Sequence, residues 1–195
     1  MLYHLSELPQ SHRDALQREV EGLQPDYEQL KAAPILNAFL AENWRLVSPV
    51  SGHAGTVTVP LDFNTPSGTY HTPKGVALSV KLDGSVNDGD DSQILNPLEF
   101  HLGRYLPPDH PLQDCTKFAT GIDYNSLGLK YRTFGVGAHT CLGHHFAKIE
   151  ARLFLTRLLQ SFDVKIHKAK LVKMPLQKWD IEFELIPTTR KQKAQ

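Results

Sequence analysis

The 195-residue chain carries 21 Lys and Arg against 21 Asp and Glu and is 41% hydrophobic; it can bury one sizeable core, and no net field draws it to nucleic acid or an acidic membrane surface. Two cysteines, Cys115 and Cys141, do not make a disulfide framework. No apolar run reaches the ~20 residues of a membrane span, and the start Met1-Leu-Tyr-His-Leu-Ser lacks the charged and apolar regions of a signal peptide, so the chain by itself reads as soluble and intracellular.

Leu16, Val20 and Leu23 recur at helical spacing from Ser11 to Leu23, with Ser11 as the expected cap. Pro25-Asp26 breaks that helix, and Asp26 to Leu30 suits a short helical turn. Pro34 then opens a helix to about Val47, its apolar side carrying Ile35, Leu36, Phe39 and Leu40. Within it lies Glu42-Asn-Trp-Arg45, an acid and a base at i and i+3 on one face.

Beyond Arg45 the composition turns β-branched. Thr56 to Val59 and Val76 to Leu82 alternate, while Ser67-Gly68 and Pro73-Lys-Gly75 signal turns, which predicts short antiparallel hairpins. Asp83 to Ser92 is polar. Asn96-Pro-Leu-Glu-Phe100 leads to Arg104-Tyr105, and Leu106 to Arg132 reads as a long loop. After the glycine-rich stretch, Phe146, Ile149, Leu153 and Leu158 mark a long helix, and Phe162 to Ile166 and Ile181 to Leu185 alternate as two strands expected to pair.

The stretch Phe134-Gly-Val-Gly-Ala-His-Thr-Cys-Leu-Gly143 organises the rest. Gly135 and Gly137 permit backbone angles a side chain would forbid, and Gly143 removes a Cβ where something flat could press on the turn. Cys141 stands just before a helix, where a thiolate is favoured, and turn amides aimed at a sulfur tune its donor strength. Phe134 is placed to cover the sulfur.

This Phe-x-x-Gly-x-x-x-Cys-x-Gly pattern, preceded by Glu-x-x-Arg on a helix and by a Pro-x-x-Phe segment with a following arginine, resembles the cytochromes P450. The resemblance implies an α+β fold, the C-terminal portion of the family's architecture. One partial domain would run from helices over 1–47, through hairpins and meander over 48–105 and a loop with the cysteine turn over 106–143, to a helix and strands over 144–195. It implies haem as cofactor, with Cys141 as the axial ligand of the iron, Phe134, Gly135 and Gly143 around it and His139 at a haem propionate. It implies a buried triad of Glu42, Arg45 and Arg104. Two departures stand out: Leu102 replaces the meander proline, and His53, with no arginine, follows the Glu-x-x-Arg helix.

The implied function is that of a haem-thiolate monooxygenase oxidising an apolar small molecule, with secondary metabolism as one setting. Electrons would come from NAD(P)H through a redox partner of reductase or ferredoxin type. Lys130, Arg132, Lys148 and Arg152 form a candidate patch for that donor. No oxygen-side helix is matched, so the chain reads as truncated, with an N-terminal half as a further implied partner. The alternatives are a non-catalytic haem-binding or redox-partner-binding derivative, and a zinc site built from Cys141, His139, His144, His145 and Cys115, whose spacing fits no common zinc pattern. A dinucleotide loop fails because Thr140 stands where a glycine is required.

Overall fold

The structure is a computed structural model that describes residues 1–47, 52–81, 99–107, 109–113, 133–135, 137–172 and 178–188. Four helices open the chain: α1 (Leu2–Glu7), α2 (Gln10–Glu21), α3 (Tyr27–Ala32) and α4 (Pro34–Leu46). The sequence pattern did not pick out α1. Helix α2 begins one residue before Ser11, with Pro9 preceding it and no side-chain cap, because a proline already fixes the extended backbone that leads into the first turn. Asp26 caps α3, its Oδ1 accepting from Glu28 N and Gln29 N, both at 3.1 Å.

Helix α4 is capped from outside itself. Ala33 precedes it and has no side chain to offer. The Glu19 carboxylate of α2 takes over, Oε1 accepting from Ile35 N at 3.0 Å and Oε2 from Leu36 N at 2.7 Å. This satisfies two of the amides that a helix start leaves open and places a negative charge at the positive end of the dipole. Leu36, Phe39 and Leu40 then meet Leu16 and Val20 of α2 in the core. Each fully buried side chain of this size contributes about 1.5–3 kcal/mol.

The strands pair locally. β1 (Gly52–Thr56) runs antiparallel to β4 (Ala77–Lys81), and β2 (Leu61–Thr65) to β3 (Gly68–Thr72). The expected strand over Thr56 to Val59 stops at Thr56, since Pro60 cannot donate to a ladder; Val57 turns inward instead, exchanging hydrogen bonds with Val76 and Gly75. Residues 82 to 98 and 114 to 132, including Cys115, Lys130 and Arg132, lie outside the described residues.

A 3-10 turn, Leu102–Tyr105, packs Leu102 and Leu106 onto α4, so the leucine that stands in place of proline becomes core. Helix α5 (His144–Ser161) follows the cysteine turn, and β5 (Phe162–Val172) pairs antiparallel with β6 (Lys178–Pro187). α5 docks through Leu155, Thr156, Leu159 and Gln160. Gln160 Nε2 donates to Val20 O at 2.7 Å and Leu23 O at 2.8 Å, sealing the end of α2. Phe146, Ile149 and Leu153, whose spacing marks this helix in the sequence, are exposed on it. No described helix is long and apolar enough to cross a membrane.

Candidate functional site

The last turn of α4 carries the most deeply buried charges in the described residues. Glu42, Arg45 and Arg104 are each 0% exposed. Arg45 grips the carboxylate with two donors, Nε to Oε2 at 2.6 Å and Nη2 to Oε1 at 2.7 Å. Arg104 Nε reaches the same Oε1 at 3.2 Å, and His101 N donates to it at 3.0 Å. Arg45 Nη2 also donates to the backbone carbonyl of Glu99 at 3.0 Å. One carboxylate cannot neutralise two guanidinium groups, and the backbone makes up part of the difference. Burial lowers the Arg104 guanidinium from its ordinary value; the Glu42 charge opposes this and the Arg45 charge adds to it.

The cysteine turn leans on this helix end. Gly135 and Gly137 sit at φ of 73° and 67°, the left-handed region that a glycine enters without a Cβ penalty. The turn closes where Cys141 N donates to Phe134 O at 2.8 Å, with a 3-10 turn over Gly137–His139 between them. Cys141 O in turn accepts from His144 N and His144 Nδ1, at 3.2 and 2.8 Å, which starts α5. Thr133 Oγ1 donates to Trp44 O at 2.8 Å. The Phe134 ring meets the Trp44 indole edge-on, centroids 5.7 Å apart, and the Lys148 ammonium stands over it at 5.7 Å.

The Cys141 thiol is exposed. Beside it Leu142 is 99% exposed and Phe146 70% exposed. A Cβ added to Gly143 would meet nothing but the Cys141 sulfur, at 4.0 Å, and one added to Gly137 nothing at all.

A family profile described as Cytochrome P450 matches residues 1–193. The chain belongs to the cytochrome P450 family. It is 31% identical over 168 residues to the Cytochrome P450 monooxygenase FGM1 of Gibberella zeae, covering 80% of this chain and 29% of that protein. It is 30% identical over 172 residues to the mitochondrial 1,25-dihydroxyvitamin D(3) 24-hydroxylase of Rattus norvegicus, covering 84% and 29%. Among solved structures, a retinoic acid bound cyanobacterial CYP120A1 superimposes with a TM-score of 0.63 at 26% identity, over 90% of this chain and 39% of that one. The P450 CYP102L1 superimposes with a TM-score of 0.68 at 21% identity, over 96% and 40%, a likeness of fold. The chain thus spans about three-tenths of the length of these curated relatives, and the fold is the mixed α+β one of P450s.

Membership of the P450 family implies haem as cofactor, and the turn fits such a group. It offers one soft sulfur donor on an open face, floored by a glycine and edged by bare apolar side chains, which suits a flat apolar macrocycle held from one side. The side chain of His139, expected at a propionate, lies outside what is described, as do those of His53 and Cys115. The zinc alternative finds no assembled set: among the described residues no three His, Cys, Asp or Glu side chains converge on a metal position.

The candidate basic patch changes character. Arg152 is half-buried, its Nε donating to Asn37 Oδ1 of α4 at 2.6 Å, and burial lowers its guanidinium from the ordinary value. Asn37 Nδ2 reaches the carbonyls of Leu30, Lys31 and Ala33 at 3.0, 3.1 and 2.6 Å. Arg152 therefore ties α5 to the start of α4, and Lys148 is drawn over the Phe134 ring. Trp44, Thr133, Asn37 and Glu19 are the residues that sequence reasoning passed over. Trp44 sat in plain view inside Glu42-Asn-Trp-Arg45.

Proposed function

We propose that this chain provides the thiolate side of a P450 monooxygenase, with the Cys141 sulfur as axial ligand of the haem iron and an apolar small molecule as the compound oxidised. The observation that carries this reading is the exposed Cys141 thiol on a turn seated against the α4 end that holds Glu42, Arg45 and Arg104. When bound, haem with a thiolate ligand supplies the electron-rich iron that favours cleavage of the O–O bond.

The chain's own residues do the rest. Gly135 and Gly137 fold the turn so that the sulfur stands clear of the backbone, Leu142 and Phe146 offer apolar contact to the ring and limit water there, and Phe134 packs one side of the turn. His139 is proposed as a propionate partner. Reducing equivalents are proposed to come from NAD(P)H through a reductase or ferredoxin-type partner.

Reconstitution of the purified 195-residue chain with hemin tests the reading. Reduction under carbon monoxide should give the red-shifted Soret band of a thiolate-ligated haem, and Cys141→Ser should abolish it while leaving the far-UV circular dichroism intact. A Cys141→Ser protein with the wild-type band would remove the sulfur from the iron.

A further inference from the structure

We infer that Trp44 and Thr133 are positioning residues which transmit the rigidity of the buried ion cluster to the cysteine turn and so fix where the Cys141 sulfur stands. The consequence for haem rests on the proposed ligand role of Cys141; the mechanical link does not.

Among the described residues, the hydrogen bonds of Glu42, Arg45 and Arg104 run to one another, to Glu99 O and to His101 N. One path from the cluster to the turn runs through the residue between Asn43 and Arg45. Trp44 presents two surfaces on opposite ends of its structure: its carbonyl accepts the buried Thr133 hydroxyl at 2.8 Å, and its indole meets Phe134 at 73° and 5.7 Å. Phe134 then holds Cys141 directly, carbonyl to amide, at 2.8 Å. Three successive links therefore join Arg45 to the thiol-bearing residue: a peptide bond, the Thr133–Phe134 seat on Trp44, and the Phe134–Cys141 hydrogen bond.

The arrangement is directional. A carbonyl in the last turn of a helix lacks an intrahelical donor, and at Trp44 the Thr133 hydroxyl supplies one. An edge-on aromatic pair adds an orientation that simple burial does not impose. On the far side, Arg152 on Asn37 holds α5 to the same helix and Lys148 of α5 stands over the Phe134 ring, so elements on both sides of the turn are tied to α4 or to the turn itself. Charge at Glu42 sets the helix end, and the helix end sets the sulfur.

The test reads the thiol without haem. In a Cys115→Ser background, the rate of Cys141 alkylation by iodoacetamide at one fixed pH is compared for wild type, Thr133→Val, Thr133→Ser and Trp44→Leu, with circular dichroism confirming the fold of each. Thiol reactivity follows the local field and access at the sulfur. The expected result is an alkylation rate altered by at least about threefold in Thr133→Val and Trp44→Leu, on a scale where reactive and inert cysteines differ by far more. Thr133→Ser, which restores the hydroxyl, should return to the wild-type rate. Wild-type rates in Thr133→Val and Trp44→Leu, whatever their unfolding midpoints, would overturn the proposal, and if Thr133→Val does not fold, Trp44→Leu, whose ring is only half-buried, decides alone. Loss of the hemin spectrum's dependence on Cys141 would instead refute the ligand role and leave this series standing.

Discussion

Replacing Glu42 by glutamine keeps the side-chain volume and removes one negative charge from a place where Arg45 and Arg104 have no access to water. Four donors converge on the carboxylate: Nε and Nη2 of Arg45, Nε of Arg104 and the amide of His101. Glutamine offers one oxygen to them and turns an NH2 group toward a guanidinium on the other side. Breaking a buried ion pair by removing one partner costs about 3–5 kcal/mol, because the remaining charge stays desolvated, and here two cations are left. That is a large part of the ~5–15 kcal/mol by which domains are stable. With a urea slope of roughly 1–3 kcal/mol per molar, the midpoint should fall by about 2 M at unchanged slope. Urea unfolding followed by tryptophan fluorescence and circular dichroism measures it. Glu99→Gln is the control, since it keeps the backbone oxygen that Arg45 uses and alters only an exposed carboxylate paired with the His101 ring, and it should stay within about 0.5 kcal/mol of wild type. A Glu42→Gln midpoint equal to that control would refute the account of the cluster as a charge-balanced unit.

Glu19→Ala should lower stability by about 1–2 kcal/mol, the range for a lost helix cap, since it frees Ile35 N and Leu36 N of α4; helical signal and urea midpoint should fall together. Gly137→Ala should cost about 1–2 kcal/mol through its left-handed backbone alone, because the added Cβ meets no atom within 4 Å; a calorimetric scan shows whether the turn tolerates it. His4, buried on Asn43 and stacked on Phe100, has its pKa lowered first by burial, with the Asn43 bond and Glu42 opposing and the N-terminal ammonium and Arg45 assisting. The unfolded chain therefore takes up this proton first, so the contribution is complete above the ordinary histidine value of about 6.5 and is lost as pH falls from there toward the folded value. His12 shifts in the same direction, so the readout is the difference in urea midpoint between wild type and His4→Gln across pH 8 to 5, which should narrow on acidification.

Local periodicity made α2, α3 and α4 legible, because their apolar stripes, the prolines and the Asp26 cap of α3 are written within one or two turns. The Glu42–Arg45 contact was legible for the same reason. Arg104 was not accessible to local pattern at all; only the ordered family motifs pointed to a residue so far along the chain, and the structure puts it on the same carboxylate oxygen. Glu19 and Thr133 escaped because each acts on a backbone group of another element, a helix-start amide or a helix-end carbonyl, and such groups have no signature in the sequence. Helix α5 was legible from the spacing of Phe146, Ile149, Leu153 and Leu158, but it is apolar on more than one side, and the residues that dock it, Leu155 and Leu159, lie on another.

That two-sidedness of α5 bears on how the molecule behaves as a solute. Leu142, Phe146, Ile149 and Leu153 recur at helical spacing from the cysteine turn onward and are exposed, and contiguous exposed apolar surface marks a place where something else adheres. Because such adhesion is driven by water and has a heat-capacity signature, it weakens in the cold and strengthens with sulfate. If two copies meet through this face, light scattering of the chain should rise on warming or on adding sulfate and fall in chilled, low-salt buffer.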